Sequence, residues 1–322
     1  MSIVKTDLVA AFGDYYLNEG QNLDRLKSAI RQPAVTPSYA KPIISESDVY
    51  RSANVVLGEI VQSFQKGFTL KGDVTFVPNE IRLRNAKIDM ALYPDDVKAS
   101  WLGFLGSLTV QERASWPIIR YVLENEVAPQ IAHDMETKAY WGGAYVAPTA
   151  GTAGTASGTI DGLKKLIDDG LTATTINAVA LSAAPVAANM FEIVEEFVDG
   201  VMADNTALSG VKMRLFMDPK FLRDYFRDKR NTHGADANYN TSGMNIVDFT
   251  ENVELVGLPS MAGSGYLFAT PVDNFLHIRK VNGMQDPKVE ESKREVSLML
   301  DWYEGIGFAY NELVYAYKKV TV

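Results

Sequence analysis

The sequence predicts an α+β chain in which an extended arm, a β-ribbon, one long helix and a compact α/β region follow one another. Three observations predict it. Apolar and polar residues alternate with period 2 in two places, before Leu92 and again after Arg294. Between them, from Trp116 to Met135, apolar side chains recur at spacings of three and four. Helix-like and strand-like runs then alternate from Ile160 to Val281. Period 2 sends successive side chains to opposite faces of a strand, whereas spacings of three and four line one face of a helix.

Composition bounds the reading. Of 322 residues, 47% are hydrophobic and 22% charged, enough apolar material for a core and too little charge for global disorder. The formal net charge is -9. That argues against a dedicated nucleic-acid binder, which presents a basic face. It leaves room for a shell that surrounds nucleic acid without gripping it. There are no cysteines, which removes disulfides, thiolate metal sites and cysteine nucleophiles. The opening MSIVKTDLVAAFGDYYLNEG lacks the apolar core and small-residue cleavage site of a signal peptide. No apolar run approaches the ~18 residues of a membrane span. A cytosol-like site of synthesis and no membrane partner are expected.

Taken in order, residues 1–45 read as an arm. RQPAVTPSYAKPIIS contains Pro33, Pro37 and Pro42, and each proline biases its predecessor away from helix. An arm without a core of its own must lie on its own body or on a neighbour. Residues 46–108 hold a hairpin candidate, GFTLKGDVTFVPNEIRLRNAKIDMAL, with its turn expected at Pro78-Asn79-Glu80. Val74 and Phe76 alternate with Thr75 and Val77, and Ile81 and Leu83 with Arg82 and Arg84. A lone hairpin is marginal in water, so this one needs a partner surface.

Residues 109–150 carry the long helix, expected from Thr109 to Trp141. It opens on a capping box, Thr109 to Glu112, and shows the stripe Trp116, Ile119, Leu123, Val127, Ile131, Met135. Pro117 and Pro129 kink it, or Pro117 marks its true start. Residues 151–285 are entered through the loop APTAGTAGTASG. A short helix at Ile160–Asp168 precedes a strand-like run at Ala173–Leu181. Pro185 begins a helix with Met190, Val194, Phe197 and Val201 on one face. A strand at Val211–Met217 leads to a helix capped by Asp218-Pro219, with Phe221, Leu222, Tyr225 and Phe226 inward. A polar loop, Asn231 to Asn245, precedes strands at Val253–Val256, Tyr266–Ala269 and Phe275–Val281. Residues 286–322 are β again: Val296, Leu298, Leu300 and Trp302 share a face, a turn is expected at Gly305, and an aromatic run follows.

The chemistry is sparse. No glycine stands five residues before a Gly-Lys pair, so the phosphate-binding loop pattern is absent. Gly151, Gly154 and Gly158 do not follow a strand with the dinucleotide spacing, and a connector explains them better. The only histidines are His133, His233 and His277. His133 and Glu136 fall one helical turn apart, a minimal metal nucleus, against which stands an ordinary solvated helix face. No serine has the flanking glycines of a nucleophile elbow. The pairs Asp95-Asp96 and Asp168-Asp169, and the cluster Arg227 to Arg230, read as helix-end charges. No catalytic, metal or cofactor site is expected.

This order of parts resembles the major capsid proteins of tailed bacteriophages, the Hong-Kong-97-type capsid fold. The resemblance spans nearly the whole chain and is architectural, with no invariant motif. Residues 1 to 45 look like the N-terminal arm and Gly67 to Leu92 like the extended loop. Thr109 to Trp141 looks like the spine helix of the peripheral domain. GTIDGLKKLI looks like the entry into the axial domain, VKMRLFMDPKFLRDYFRDKR like its strand-then-helix element, and VELVGLPSMAGSGYLFATPVDNFLHIRK like its returning strands. REVSLMLDWYEGIGFAYNELVYAY looks like the closing strands.

The resemblance implies a homo-oligomeric subunit that forms pentamers and hexamers of an icosahedral shell in the virion. That shell encloses DNA without reading its sequence. Arm and extended loop would lie over neighbouring copies. A separate scaffolding protein and a portal are implied partners. The family's lysine–asparagine cross-link matches no motif here. Two other readings stand beside this one: an encapsulin-like nanocompartment shell, and an α/β enzyme with an unrecognised site. Arg82, Arg84 and Lys87 alternate along the expected ribbon and are the candidate assembly contacts, against the alternative that they are ordinary solvent-facing charges.

Overall fold

A computed structural model of the chain describes residues 31–93, 97–98, 101–104, 121–233, 245–247, 250, 252–281, 288–292 and 295–318. In chain order its elements are α1 (Thr36–Tyr39), β1 (Lys41–Ser45), β2 (Val49–Leu57), β3 (Val74–Arg82), β4 (Arg84–Leu92), α2 (Ala128–Asp134), α3 (Leu163–Thr172), β5 (Asn177–Ala178), α4 (Met190–Asp204), β6 (Met213–Met217), α5 (Pro219–His233), β7 (Val253–Gly257), β8 (Leu267–Pro271), β9 (Phe275–Lys280), β10 (Lys288–Ser292), β11 (Glu295–Phe308) and β12 (Tyr315–Tyr317). They fall into two compact units. The smaller takes its described residues from Met1–Pro33, Lys87–Asp134 and Gln285–Asp301. The larger takes them from Ala34–Ala86, Met135–Met284 and Trp302–Val322.

The larger unit holds a five-stranded sheet in the order β5-β12-β8-β6-β7. β6 and β7 run parallel, so the chain must cross over between them, and α5 makes that crossing. Asp218 starts α5 as the sequence predicts. Its Oδ1 accepts the Lys220 N–H at 2.7 Å, and its Oδ2 accepts the Gly263 N–H at 2.6 Å. The predicted face of α4, Met190, Val194, Phe197 and Val201, is buried against Leu215, Leu255, Leu267 and Tyr225. Each such side chain contributes about 2 kcal/mol by leaving water, so this cluster anchors the unit.

Several expected boundaries move for identifiable reasons. The strand-like run at Ala173–Leu181 yields only β5, because Ala173 closes α3 and Thr174 turns the chain at φ +55. α4 starts at Met190 and not at Pro185. The Asn189 side chain accepts the Val186 N–H and donates to the Ala184 carbonyl, which builds a turn there instead. Gly305 is no turn, since β11 runs unbroken through it. RQPAVTPSYAKPIIS is packed from Thr36 onward: Thr36 is buried, and β1 joins β9 as a parallel edge strand.

The entry loop is closed at its base. Gly162 N–H bonds the Gly143 carbonyl at 3.0 Å, and Ala144 and Val146 bond the Ser157 and Gly158 carbonyls. It is therefore a stapled loop with an exposed end, rather than a slack strand between elements.

In the smaller unit, β10 and β11 form an antiparallel pair, Lys288↔Met299 to Ser292↔Glu295. Leu298 packs with Tyr121, Val122 and Val127, joined by Ile88, Met90, Trp101 and Phe104. The chain is helical from Tyr121 to Ala139, and Val127 and Met135 of the predicted stripe are buried. The expected capping box, Trp116, Pro117 and Ile119 lie outside the described residues. Pro129 does not break the helix. A wide turn over Leu123–Val127, with Ala128 N–H bonded to the Leu123 carbonyl, precedes it and absorbs the missing donor.

Candidate assembly surface

β2 and β3 form a two-stranded antiparallel ribbon, paired from Val49↔Arg82 to Leu57↔Val74. The hairpin is thus real, but its turn is not at Pro78-Asn79-Glu80. β3 passes straight through those residues, and the connection is 58–73. Proline is tolerated because both strands of a two-stranded ribbon are edges, where a missing N–H breaks no ladder.

The register sorts the ribbon into two faces. One carries Tyr50, Ser52 and Asn54 opposite Ile81, Asn79 and Val77. At its root this face grips the body. Ile81 is buried with Leu83, Leu276 and Ile278. Ser52 Oγ donates to the Ala309 carbonyl at 2.5 Å, and Asn79 Nδ2 to the Phe308 carbonyl at 2.6 Å. β11 can come this close only because it is glycine here. A Cβ on Gly305 would stand 2.8 Å from the Arg82 carbonyl oxygen, and one on Gly307 would stand 2.9 Å from Ile81 Cγ1.

The other face carries Arg51, Ala53, Val55 and Leu57 opposite Glu80, Pro78, Phe76 and Val74. Toward the tip it is apolar and uncovered: Val55, Leu57, Val74 and Phe76 are all exposed. The tip continues the patch with Ile60, Val61, Leu70, Phe64 (93% exposed) and Phe68 (95% exposed). The tip has its own internal bonds. Gly58 N–H bonds the Asp73 carbonyl at 2.9 Å, and Gln62 Nε2 the Thr69 carbonyl at 2.8 Å. Lys71 pairs with Glu59 at 2.8 Å and donates to the Val61 carbonyl. Exposed apolar residues gathered in this way are the kind of surface that proteins use to meet a partner.

The three basic candidates are placed differently from one another. Arg82 bonds Glu80 on its own strand at 2.6 Å, which holds the Glu80 carboxyl below its usual range, and both are exposed. Lys87 pairs with Asp89 at 2.5 Å and is exposed. Arg84 is turned inward. It bonds Asp161 at 3.2 Å and lies 3.8 Å over the Tyr145 ring. The structure does not gather the three into one site.

Glu136 is fully buried, which overturns the solvated helix face expected there. Its carboxylate accepts the Val35 and Thr36 N–H groups, each at 3.0 Å, and the Thr36 hydroxyl at 2.8 Å. In the smaller unit, His133 Nδ1 accepts the Gln32 N–H at 2.9 Å. His277 and Glu304 lie 3.8 Å apart in the interior, beside Tyr140. Burial, then the Glu304 carboxylate, pushes the Tyr140 hydroxyl far above its ordinary range. Among the described residues no cluster of three metal-ligating side chains occurs, and no helix is long and apolar enough to cross a membrane.

No protein-family model matches the sequence, and no curated protein does. Solved structures do match. A chain of the satellite phage P4 procapsid, in a structure that includes the size determination protein, has a TM-score of 0.57 at 10% identity, over 96% of this chain and 91% of that one. The capsid of an empty GTA particle gives 0.56 at 13% identity, over 99% and 100%. Mycobacterium phage Ogopogo gives 0.54 at 14% identity, over 91% and 94%. The chain has the phage capsid fold. Its fold class is α+β, and the likeness runs end to end. At this identity the capsid fold, and not any single residue's role, is what the likeness carries.

Sequence reasoning missed the tip of this surface because it placed the turn inside β3, at Pro78-Asn79-Glu80, and not ahead of it. The alternation in VYRSANVVL, followed by Gly58 and closed by Gly72 at φ +97, was the available signal.

Proposed function

We propose that the chain is a structural, non-enzymatic subunit of a bacteriophage capsid, assembling with copies of itself into pentamers and hexamers around DNA. The observation that carries the reading is the ribbon. It is fixed at its root and ends in two phenylalanines left almost wholly in water. Such a tip costs solubility in an isolated molecule and is offset by burial on a neighbour. The end-to-end likeness to capsid folds supports this, and the net charge of -9 suits a container that must release its DNA.

In this reading residues 1–45 serve as the arm and 46–108 as the extended loop reaching a neighbouring subunit. Residues 109–150 carry the spine of the peripheral domain, 151–285 form the axial domain, and 286–322 close the sheets. Arg82, exposed at the root of the ribbon, and Lys87, exposed on β4, serve as further polar contacts with neighbouring copies. Scaffold and portal are the partners such a shell recruits, and the virion is its location.

The test is light scattering and negative-stain imaging of the purified chain, followed by nuclease treatment of particles recovered from its native lysate. Rings or closed shells tens of nanometres across, holding nuclease-resistant DNA, are expected. Shells that hold a protein cargo and no DNA would make the chain a nanocompartment subunit instead. A small oligomer under every condition would end the shell reading.

A further inference from the structure

α5 sorts its charges by face. Lys220, Arg223, Arg227 and Arg230 follow one another at spacings of three, four and three, and all four are exposed. At 3.6 residues per turn they fall within about 80° of arc, a single stripe along the helix. The acids at and within the helix are not on it: Asp218, Asp224 and Asp228 are buried. Asp218 accepts the backbone N–H groups of Lys220 and Gly263, and Asp228 that of Phe191 at 2.9 Å. Of the four cations, Arg227 has Asp224 at 3.8 Å, and the other three make no ion pair among the described residues. α3 shows the opposite arrangement. Its Lys164 and Lys165 are neutralised by Asp168 and Asp169 one turn on, at 3.2 and 2.8 Å. A chain of net charge -9 thus keeps this face of α5 basic.

We propose that this stripe is a contact for the phosphate backbone of nucleic acid, made without reading bases. The inference rests on the capsid reading and names the surface that meets the enclosed DNA. From Lys220 to Arg230 the stripe spans about 15 Å, the rise of about four phosphates along one strand. Three of the four cations are arginines, whose planar fork grips phosphate oxygens in pairs. A protein partner fits less well, because protein interfaces centre on apolar side chains. The exposed positions described on α5 are these four with Asn231 and Thr232, none of them apolar. A few phosphate contacts per subunit are weak and salt-sensitive, which suits a shell that orders its DNA and still releases it.

The test is fluorescence anisotropy of a labelled DNA duplex of random sequence, titrated with the purified chain. Four phosphate contacts predict that affinity falls about 150-fold between about 50 and 200 mM salt. Arg223→Gln/Arg227→Gln should cut affinity at the lower salt at least about tenfold and roughly halve the salt slope, with the melting midpoint unchanged. Lys164→Gln/Lys165→Gln changes the net charge equally and should leave duplex binding as in the parent. Equal losses from the two pairs would assign binding to overall charge and overturn the stripe. So would a parent chain that binds no duplex. A polyglutamate peptide that binds the parent more tightly than the duplex does would make the stripe a seat for an acidic protein segment and overturn the nucleic-acid assignment. Particle imaging reads the shell separately. Duplex binding without particles keeps the stripe and ends the capsid reading, and particles without duplex binding do the reverse.

Discussion

At the scale of single residues, the consequential groups are those whose partners lie far away in sequence. The partners of Glu136 come from the chain at the start of α1, 100 and 101 residues earlier. Its carboxylate then satisfies three donors in a dry place, and Thr36 Oγ1 passes the connection to Ser260 Oγ at 2.7 Å. Glu136→Ala strands the buried Thr36 N–H and the half-buried Val35 N–H, and unfolding by denaturant should show a loss of about 3 kcal/mol. Glu136→Gln, which keeps an acceptor, should fall between. A loss under about 0.5 kcal/mol would remove the clamp from the account. Asp168 offers a pH test. Burial opposes its ionisation, but hydrogen bonds from Lys318, Tyr266 and Lys164 outweigh it and hold its carboxyl below the usual value. A depressed carboxylate stabilises the fold above its unfolded pKa of about 3.9, and that contribution disappears as pH falls through the lower folded value. The stability gap between the parent and Asp168→Asn should therefore be full at pH 6 and shrink below about pH 4. A gap that stays constant from pH 6 to pH 2 would contradict the assignment.

At the scale of elements, local chemistry was readable and pairing was not. The Asp218-Pro219 cap and the face of α4 follow from residues a few places apart, and both stand where the sequence puts them. The turns expected at Pro78 and Gly305 depend on which strand meets which. In both cases a turn-forming residue serves an unbroken strand: proline where no ladder bond is lost, glycine where another backbone presses close. The same distinction divides the basic candidates. Arg84 is committed to Asp161 and Tyr145, so Arg84→Glu should lower the unfolding midpoint in a thermal melt. Arg82→Glu and Lys87→Glu lie on exposed surface and should leave that midpoint within a degree or two, changing only assembly. Equal melts for all three would show that Arg84 is not a fold residue. The contacts of Glu136 and Asn79 had no sequence signal, because each joins residues from separate segments.

At the scale of the whole molecule, the order of parts carried more than any motif. In the proposed reading, a ribbon that cannot stand alone is built to meet other copies. The structure gives that surface its chemistry: a root fixed by Ile81, Ser52 and Asn79, and an apolar tip. If the tip exists to be buried on a neighbour, removing its aromatic rings should abolish assembly and spare the fold. The measurement is sedimentation velocity with negative-stain imaging of the parent and the Phe64→Ser/Phe68→Ser double variant, matched in concentration and checked by thermal melting. The account predicts rings or shells from the parent, only free subunits from the variant, and the same melting midpoint for both. Shells of normal yield from the double variant would contradict it.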